Sequence, residues 1–256
     1  MPKLTVLLAI AGALFSGLAF AQSPTKPTVV LVHGAFADSS SWNGVVGILE
    51  KDGYHVVAAA NPLRSVSGDA SYVSSIIDSI EGPIVLVGHS YGGQVITTAA
   101  NGHDNVKSLV YVAAFAPDAG EAAAELAGKF PGSTLGQALA PPVKLAGGSI
   151  DLYIDKGKFQ QQFAQDVPVA EAALMAAGQR PITEDALKEK SGEPAWKKLP
   201  SWFIYGDGDR NIPAKALGFM AERASSRRTV VIKDASHVVM VSHPTEVAAL
   251  IEEAAK

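Results

Sequence analysis

The chain has 256 residues, of which 48% are hydrophobic and 18% charged, enough for one globular domain with a substantial core. Its 21 Lys and Arg against 25 Asp and Glu give a formal net charge of −4, which argues against nucleic acid as a partner. The absence of cysteine excludes disulfides, thiolate metal sites and a cysteine nucleophile.

The first 21 residues are predicted to be a secretory signal peptide. Lys3 precedes a nearly charge-free apolar stretch over residues 4–20, and Ala19 and Ala21 form a small-x-small cleavage pattern. An uncleaved membrane anchor is the alternative, but the stretch is shorter than a spanning helix requires. We therefore expect cleavage after Ala21, a secreted or periplasmic protein without stable membrane insertion, and a single domain over residues 22–256.

Short apolar runs rich in β-branched residues recur along the rest of the chain. They are apolar at successive positions instead of alternating ones, which is typical of parallel strands covered on both faces. The predicted strands are 28–32, 55–58, 84–87, 108–112, 202–205 and 229–232.

Helical segments separate these strands, and the alternation predicts a doubly wound, mostly parallel α/β sheet. The predicted helices are 42–52, 70–80, 94–101, 213–224 and 244–255. The alternation stops at about 118–199, a proline-rich stretch with helical pieces at 158–165 and 169–177. A structureless loop of this length is improbable, so we expect a small helical cap inserted over a substrate site.

The segment Gly-His-Ser-Tyr-Gly-Gly, residues 88–93, contains the pattern Gly-x-Ser-x-Gly. It lies between a predicted strand and a predicted helix, as a nucleophile elbow requires. Small neighbours permit the strained turn that exposes the serine, so Ser90 is the candidate nucleophile. The alternative is an ordinary glycine-rich turn in which Ser90 caps the helix.

A serine hydroxyl needs a base to take its proton and a carboxylate to orient that base. In the chain order of this fold, Ser then acid then His, the candidates are Asp209 after one strand and His237 after the next. Asp207 and Asp118 remain alternatives for the acid. The other histidines are out of order or are expected to be structural or surface residues: His33, His55, His89, His103 and His243.

A tetrahedral intermediate also needs donors for its oxyanion. Gly34 allows the loop after the first strand to approach the reacting centre, so we expect the backbone N–H groups of Ala35 and Tyr91 to form the oxyanion hole. A plain strand-to-loop turn is the alternative.

Apolar side chains near these segments are candidates for substrate binding, although such residues are more often part of a core. They are Phe36, Trp42, Phe115 and Met240. No metal-ligand spacing, dinucleotide fingerprint or phosphate loop is present, so neither a metal nor another cofactor is expected.

From residue 28 to the C-terminus these motifs resemble the α/β-hydrolase superfamily: the His33-Gly34 loop, the elbow at Ser90, Asp209, and His237 before a last helix. Segment 32–42 and the small cap are similar to bacterial relatives of plant methyl esterases and hydroxynitrile lyases. The resemblance implies a Ser-Asp-His triad, cofactor-free ester hydrolysis and an eight-stranded core that here lacks its first strands.

Two positions favour hydrolysis over lyase chemistry. The lyases carry threonine where Gly34 stands and lysine where this chain has Val238, and without that lysine a leaving cyanide would lack its cationic partner. We therefore expect a serine hydrolase that cleaves small, fairly apolar carboxylic esters through an acyl-enzyme. The alternatives are a ligand-binding protein of the same fold with little turnover, and a lyase or perhydrolase-like activity on the same triad.

Overall fold

Six parallel strands form the central sheet of the computed structural model, which describes residues 26–256. Three further strands, β5 to β7, lie outside this sheet. In chain order the nine strands of these residues are β1 (Thr28–Val32), β2 (Val56–Ala59), β3 (Ile84–His89), β4 (Val106–Val112), β5 (Val143–Lys144), β6 (Ile150–Leu152), β7 (Ile182–Thr183), β8 (Ser201–Gly206) and β9 (Arg228–Ile232). The central order is β2-β1-β3-β4-β8-β9, and every neighbouring pair is parallel. This confirms the predicted α/β fold. The predicted signal peptide lies outside the described residues.

The register explains why the middle of the sheet is so apolar. Every residue of β1 and β3 is buried, because helices cover both faces. Val32 at the end of β1 pairs with Gly88 near the end of β3, so the two strands finish at the same edge. The chain passes from β1 to β2 on one side and later to β3 on the other, which makes this edge a topological switch point, where open sheets bind ligands.

Each predicted helix is present to within a few residues, and four short helices that were not predicted bring the number of α-helices in residues 26–256 to eleven. They are α1 (Asn43–Lys51), α2 (Val66–Asp78), α3 (Tyr91–Ala99), α4 (Ala123–Gly128), α5 (Leu135–Ala138), α6 (Phe159–Phe163), α7 (Val169–Gly178), α8 (Glu184–Lys188), α9 (Ala214–Arg223), α10 (Val239–Ser242) and α11 (Pro244–Ala254). The largest difference is at α2, which begins four residues early because Ser65 caps it by accepting a hydrogen bond from the Gly68 amide. Within residues 26–256, no helix is long and apolar enough to cross a membrane.

The chain between β4 and β8 contains helices α4 to α8 and a second sheet. The helical content expected there is present, but β5, β6 and β7 also pair antiparallel, which the sequence did not predict. These strands have only two or three residues each, too few to produce a recognisable apolar pattern. We call this segment, residues 118–199, the cap.

Candidate active site

Ser90 occupies a strained turn between β3 and α3. Its backbone has φ 53° and ψ −124°, a conformation that a residue with a side chain rarely adopts. Two hydrogen bonds fix the turn to β4 and to the loop that follows β4. The Ser90 amide donates to the Val112 carbonyl at 3.2 Å, and the Ser90 carbonyl accepts from the Phe115 amide at 3.1 Å. The serine therefore stands at the N-terminus of α3, where the helix dipole favours developing negative charge.

The glycines of the elbow are required by close packing of the backbone. A Cβ atom at Gly88 would lie 2.6 Å from the Gly92 carbonyl oxygen, and one at Gly92 would overlap the Val32 carbonyl oxygen. Neither position has room for any side chain. The Gly-x-Ser-x-Gly pattern thus follows from how tightly the elbow packs on itself and on β1.

His237 and Asp209 form a buried pair beyond the ends of β9 and β8. Nδ1 of His237 donates to Oδ2 of Asp209 at 2.6 Å, and the two side chains are 1% and 0% exposed. The other carboxylate oxygen accepts from the amides of Asn211 at 2.7 Å and Ile212 at 3.0 Å. Because both oxygens are held as acceptors, the imidazole proton stays on Nδ1, and Nε2 is left free to act as a base.

The alternative acids have other partners. Asp207 is exposed, and its carboxylate accepts from the Asp234 amide at 2.5 Å. Asp118 forms an ion pair with Lys197 at 2.6 Å. Of the three candidate acids, Asp209 is the one that the structure brings to His237.

The histidines nearest the site are buried and neutral. His89 lies behind His237, with ring centroids 4.8 Å apart, and its Nε2 donates to the His237 carbonyl at 3.1 Å. Burial holds the pKa of His89 well below its usual value. Burial likewise lowers the pKa of His33 from 6.5 to about 4, and its Nδ1 donates to the Gly34 carbonyl at 2.9 Å.

The remaining histidines lie away from this group. His55 is exposed, and His243 contacts the Ser242 hydroxyl at 2.9 Å. His103 contacts the Ser74 hydroxyl at 2.6 Å. None of these contacts includes Ser90 or Asp209.

Two unoccupied backbone donors face the same cavity as Ser90. The amides of Ala35 and Tyr91 have no hydrogen-bond acceptor within residues 26–256, and both residues line the cavity. The loop that carries Ala35 presses directly on the elbow, since a Cβ at Gly34 would lie 2.6 Å from Cβ of Ser90 and 3.1 Å from the Tyr91 nitrogen. The arrangement suits an oxyanion beside the serine.

The cavity has a volume of about 360 Å³ and is mostly apolar. Ser90 and His237 lie in its wall, although the Ser90 hydroxyl makes no hydrogen bond within the described residues. Such catalytic contacts often tighten only when substrate binds. The cap supplies the opposite wall, mainly through Ala123, Ala127, Leu135, Leu139, Phe163 and Leu187.

The four predicted substrate-binding residues divide into two pairs. Phe36 and Phe115 line the cavity. Trp42 and Met240 are fully buried and do not line it; the Trp42 ring instead meets the His89 ring edge-on. Phe163 lines the cavity but was not singled out from the sequence, although it falls in a predicted cap helix. Among residues 26–256, no group of three or more His, Asp or Glu is arranged to hold a metal ion.

Comparison with known proteins agrees with this geometry. The model of the alpha/beta hydrolase family matches residues 29–250, and the chain belongs to that family. It is 27% identical over 251 residues to alpha/beta hydrolase nvfD from Aspergillus novofumigatus, covering 90% of this chain and 97% of that protein. It is 23% identical to methylesterase 8 from Arabidopsis thaliana, covering 92% of each. The resemblance to plant methyl esterases is therefore confirmed.

The fold is also that of a solved esterase structure. The crystal structure of polyneuridine aldehyde esterase superposes with a TM-score of 0.78 at 20% identity, covering 90% of this chain and 100% of that one. This chain is thus an α/β hydrolase with esterases among its relatives.

Proposed function

We propose that the protein is a serine hydrolase that cleaves small, fairly apolar carboxylic esters through a covalent acyl-enzyme. The observation that carries the proposal is one cavity that joins a strained serine, a histidine bonded to a buried carboxylate, and two amides that have no acceptor within residues 26–256. Each of these groups has a separate task in acyl transfer.

In the acylation step, Nε2 of His237 takes the proton of the Ser90 hydroxyl while its oxygen attacks the ester carbonyl. The carbonyl oxygen becomes an oxyanion, which accepts hydrogen bonds from the amides of Ala35 and Tyr91. Asp209 stabilises the imidazolium through the contact at Nδ1. The alcohol then leaves with the proton from Nε2, and the acyl group remains on Ser90.

Deacylation repeats the cycle with water as the nucleophile. His237 takes a proton from the water, the hydroxide adds to the acyl carbonyl, and collapse of the oxyanion returns the proton to Ser90. The carboxylic acid is then released. No group is oxidised or reduced in either step, so the chain's own residues and water account for the whole reaction.

The character of the cavity supports the expected substrate class. A volume of about 360 Å³ suits a small molecule, and its wall is largely Ala, Leu and Phe side chains. Val238, directly after the histidine, is fully buried, and a buried valine offers no cationic stabiliser for a leaving cyanide. The buried valine favours ester hydrolysis over cyanohydrin cleavage.

Replacement of Ser90 tests the proposal. Ser90→Ala should lower the turnover of p-nitrophenyl acetate by several orders of magnitude and abolish labelling by a fluorophosphonate, measured by intact mass. Ser75→Ala, which removes an exposed hydroxyl on α2, is the matched control and should retain both. Wild-type turnover in Ser90→Ala would refute the proposal. A wild-type protein that binds esters without labelling or turnover would instead be a ligand-binding member of the fold, and cleavage of mandelonitrile would indicate a lyase.

We further propose that the chain is exported and cleaved after Ala21. The support is the sequence of residues 1–21, a single lysine followed by an apolar stretch and a small-x-small site. Mass-spectrometric peptide mapping of protein recovered from the periplasm or medium should give an N-terminal peptide that begins at Gln22 or at the pyroglutamate formed from it. Recovery of the uncleaved chain in the membrane fraction would contradict it.

A further inference from the structure

The 61–69 segment, which joins β2 to the first turn of α2, contacts both sides of the proposed oxyanion hole. On one side, Nδ2 of Asn61 donates to the His33 carbonyl at 2.9 Å, two residues before the Ala35 amide. On the other side, the Tyr91 hydroxyl donates to Oδ2 of Asp69 at 2.9 Å. The proposed oxyanion donors, the amides of Ala35 and Tyr91, lie in different loops, and the 61–69 segment contacts both loops.

Asp69 is built to hold the Tyr91 ring in place. Both side chains are about 1% exposed, so water does not compete for the contact. The Arg64 amide donates to the same carboxylate at 3.1 and 3.2 Å, which fixes its orientation. Burial raises the pKa of Asp69, and the hydrogen bonds from the Arg64 backbone and the Tyr91 hydroxyl oppose that shift.

The cap fixes the other side of the 61–69 segment. The Arg64 guanidinium donates to Asp151 at 2.5 Å and to the Pro181 carbonyl at 2.7 Å. The Thr183 hydroxyl donates to the Arg64 carbonyl at 2.7 Å. The Glu189 carboxylate accepts from the amides at the start of α2. The segment is therefore held between the cap and the two loops that carry the oxyanion donors.

We propose that Asp69 and Asn61 are positioning residues of the oxyanion hole, Asp69 through the Tyr91 ring and Asn61 through the His33 carbonyl. This inference rests on the proposed function. Neither side chain lines the cavity, so neither touches substrate. Their effect is on where the two amides point. A donor stabilises the developing charge only within hydrogen-bond distance of it. A small shift of either loop therefore weakens the binding of the transition state more than the binding of the substrate.

Removal of the Tyr91–Asp69 hydrogen bond is the test. Tyr91→Phe and Asp69→Asn should each lower kcat for p-nitrophenyl acetate about 10-fold and change KM less than about 2-fold. The double variant should lose no more than the worse single variant, since both remove the same contact. Asn61→Ala should likewise lower kcat and leave KM nearly unchanged. If Asp69→Asn does not fold, the near-isosteric Tyr91→Phe decides the question.

An inhibitor that forms an oxyanion separates positioning from general loosening of the fold. The inhibition constant of a trifluoromethyl ketone, which adds to Ser90, should rise about as much as kcat falls, while that of a carbonyl-free analogue stays unchanged. The matched control is Tyr111→Phe. Tyr111 lies in β4 and does not line the cavity, and the substitution removes a buried phenol hydroxyl that is hydrogen-bonded to the Thr97 hydroxyl at 2.8 Å. It should behave like wild type.

The inference would be overturned by wild-type kcat and ketone affinity in Tyr91→Phe, or by an equal loss in Tyr111→Phe. Equal weakening of both inhibitors would also overturn it, because that result indicates a disturbed cavity. Failure of the proposed function gives a different result, since Ser90→Ala would then keep its activity.

Discussion

The two walls of the cavity are built in different ways. The sheet-edge wall consists of the loops after β1, β3, β4, β8 and β9, and it carries the backbone amides, the strained serine and the bonded histidine. The cap wall consists of apolar side chains on α4, α5, α6 and α8. The first wall depends on backbone geometry, so it tolerates few residue types. The second depends on filling space, which many combinations of apolar residues achieve.

The largest effect is expected at the buried acid of the sheet-edge wall. Asp209→Asn should lower kcat by about 10⁴-fold, because an amide at this position no longer holds the imidazole in the right tautomer. Asp207→Asn is the matched control, since this exposed carboxylate binds the Asp234 amide, and it should stay within about 2-fold of wild type. The measurement is the steady-state hydrolysis of p-nitrophenyl acetate. The reverse result would move the role of the acid to Asp207.

The sheet-edge wall should also make the protein sensitive to acid. All six histidines lie outside the cap, and burial lowers the pKa of His33 from 6.5 to about 4. His33 is therefore neutral in the folded protein between these pH values but takes up a proton on unfolding. Protonation of His33 should then lower the free energy of unfolding by about 3 kcal/mol as the pH drops from about 6.5 to 4, with no contribution above that range. His89, whose pKa burial also holds well below its usual value, adds to the fall in the wild-type protein.

Urea unfolding at several pH values measures this slope. His33→Asn keeps a donor near the Gly34 carbonyl but does not titrate, so its curve should be flatter by that amount. The control is His55→Asn at an exposed position, which should keep the wild-type slope. Identical slopes in His33→Asn and wild type would show that another group causes the acid sensitivity.

A smaller loss is expected where the two loops of the sheet-edge wall touch. Gly34→Ala adds a Cβ that would lie 2.6 Å from Cβ of Ser90, so the loop carrying the Ala35 amide must move. Turnover should fall about 10²-fold. Gly47→Ala, in α1 with nothing within 4 Å of the added carbon, should keep full activity and raise stability by about 0.5–1 kcal/mol. Unchanged turnover in Gly34→Ala would mean that this contact does not set the position of the donor.

The features that depend on local backbone packing could be predicted from the sequence. The six central strands were predicted to within two residues. The four inner strands are largely buried on both faces and leave continuous apolar runs, whereas β2 and β9, at the edges of the sheet, are partly exposed and were recognised by their β-branched residues. The elbow was found because its glycines admit no substitute at Gly88 and Gly92. α3 begins at Tyr91, three residues before its predicted start, because Gly92 and Gly93 weaken the helical pattern in its first turn.

Long-range contacts were beyond the sequence. Asp207 and Asp209 are two residues apart in one loop, and the pairing with His237 depends on which carboxylate that loop turns inward. Trp42 is as apolar as the residues that line the cavity, yet the fold places it behind His89. Asn61 and Asp69 carry no motif at all, since their partners lie in other loops.

The smallest effect is expected in the cap wall, where only selectivity should change. Ala127 lies on α4 against the cavity, and Ala127→Leu should narrow it without touching the sheet-edge wall. The ratio of kcat/KM for p-nitrophenyl hexanoate to that for the acetate should fall about 10-fold, while acetate hydrolysis stays near wild type. Ala170→Leu, on the exposed face of α7, is the control and should leave the ratio unchanged.

A second series sharpens this result, because the two ends of an ester need not occupy the same part of the cavity. Esters of acetic acid with longer alcohols vary the leaving group alone. If Ala127→Leu affects the hexanoate series but not the alcohol series, α4 lines the acyl side, and the opposite pattern assigns it to the leaving group. An equal loss for every ester, acetate included, would contradict the division into two walls, because it would mean that the side chain at position 127 also disturbs the groups of the sheet-edge wall.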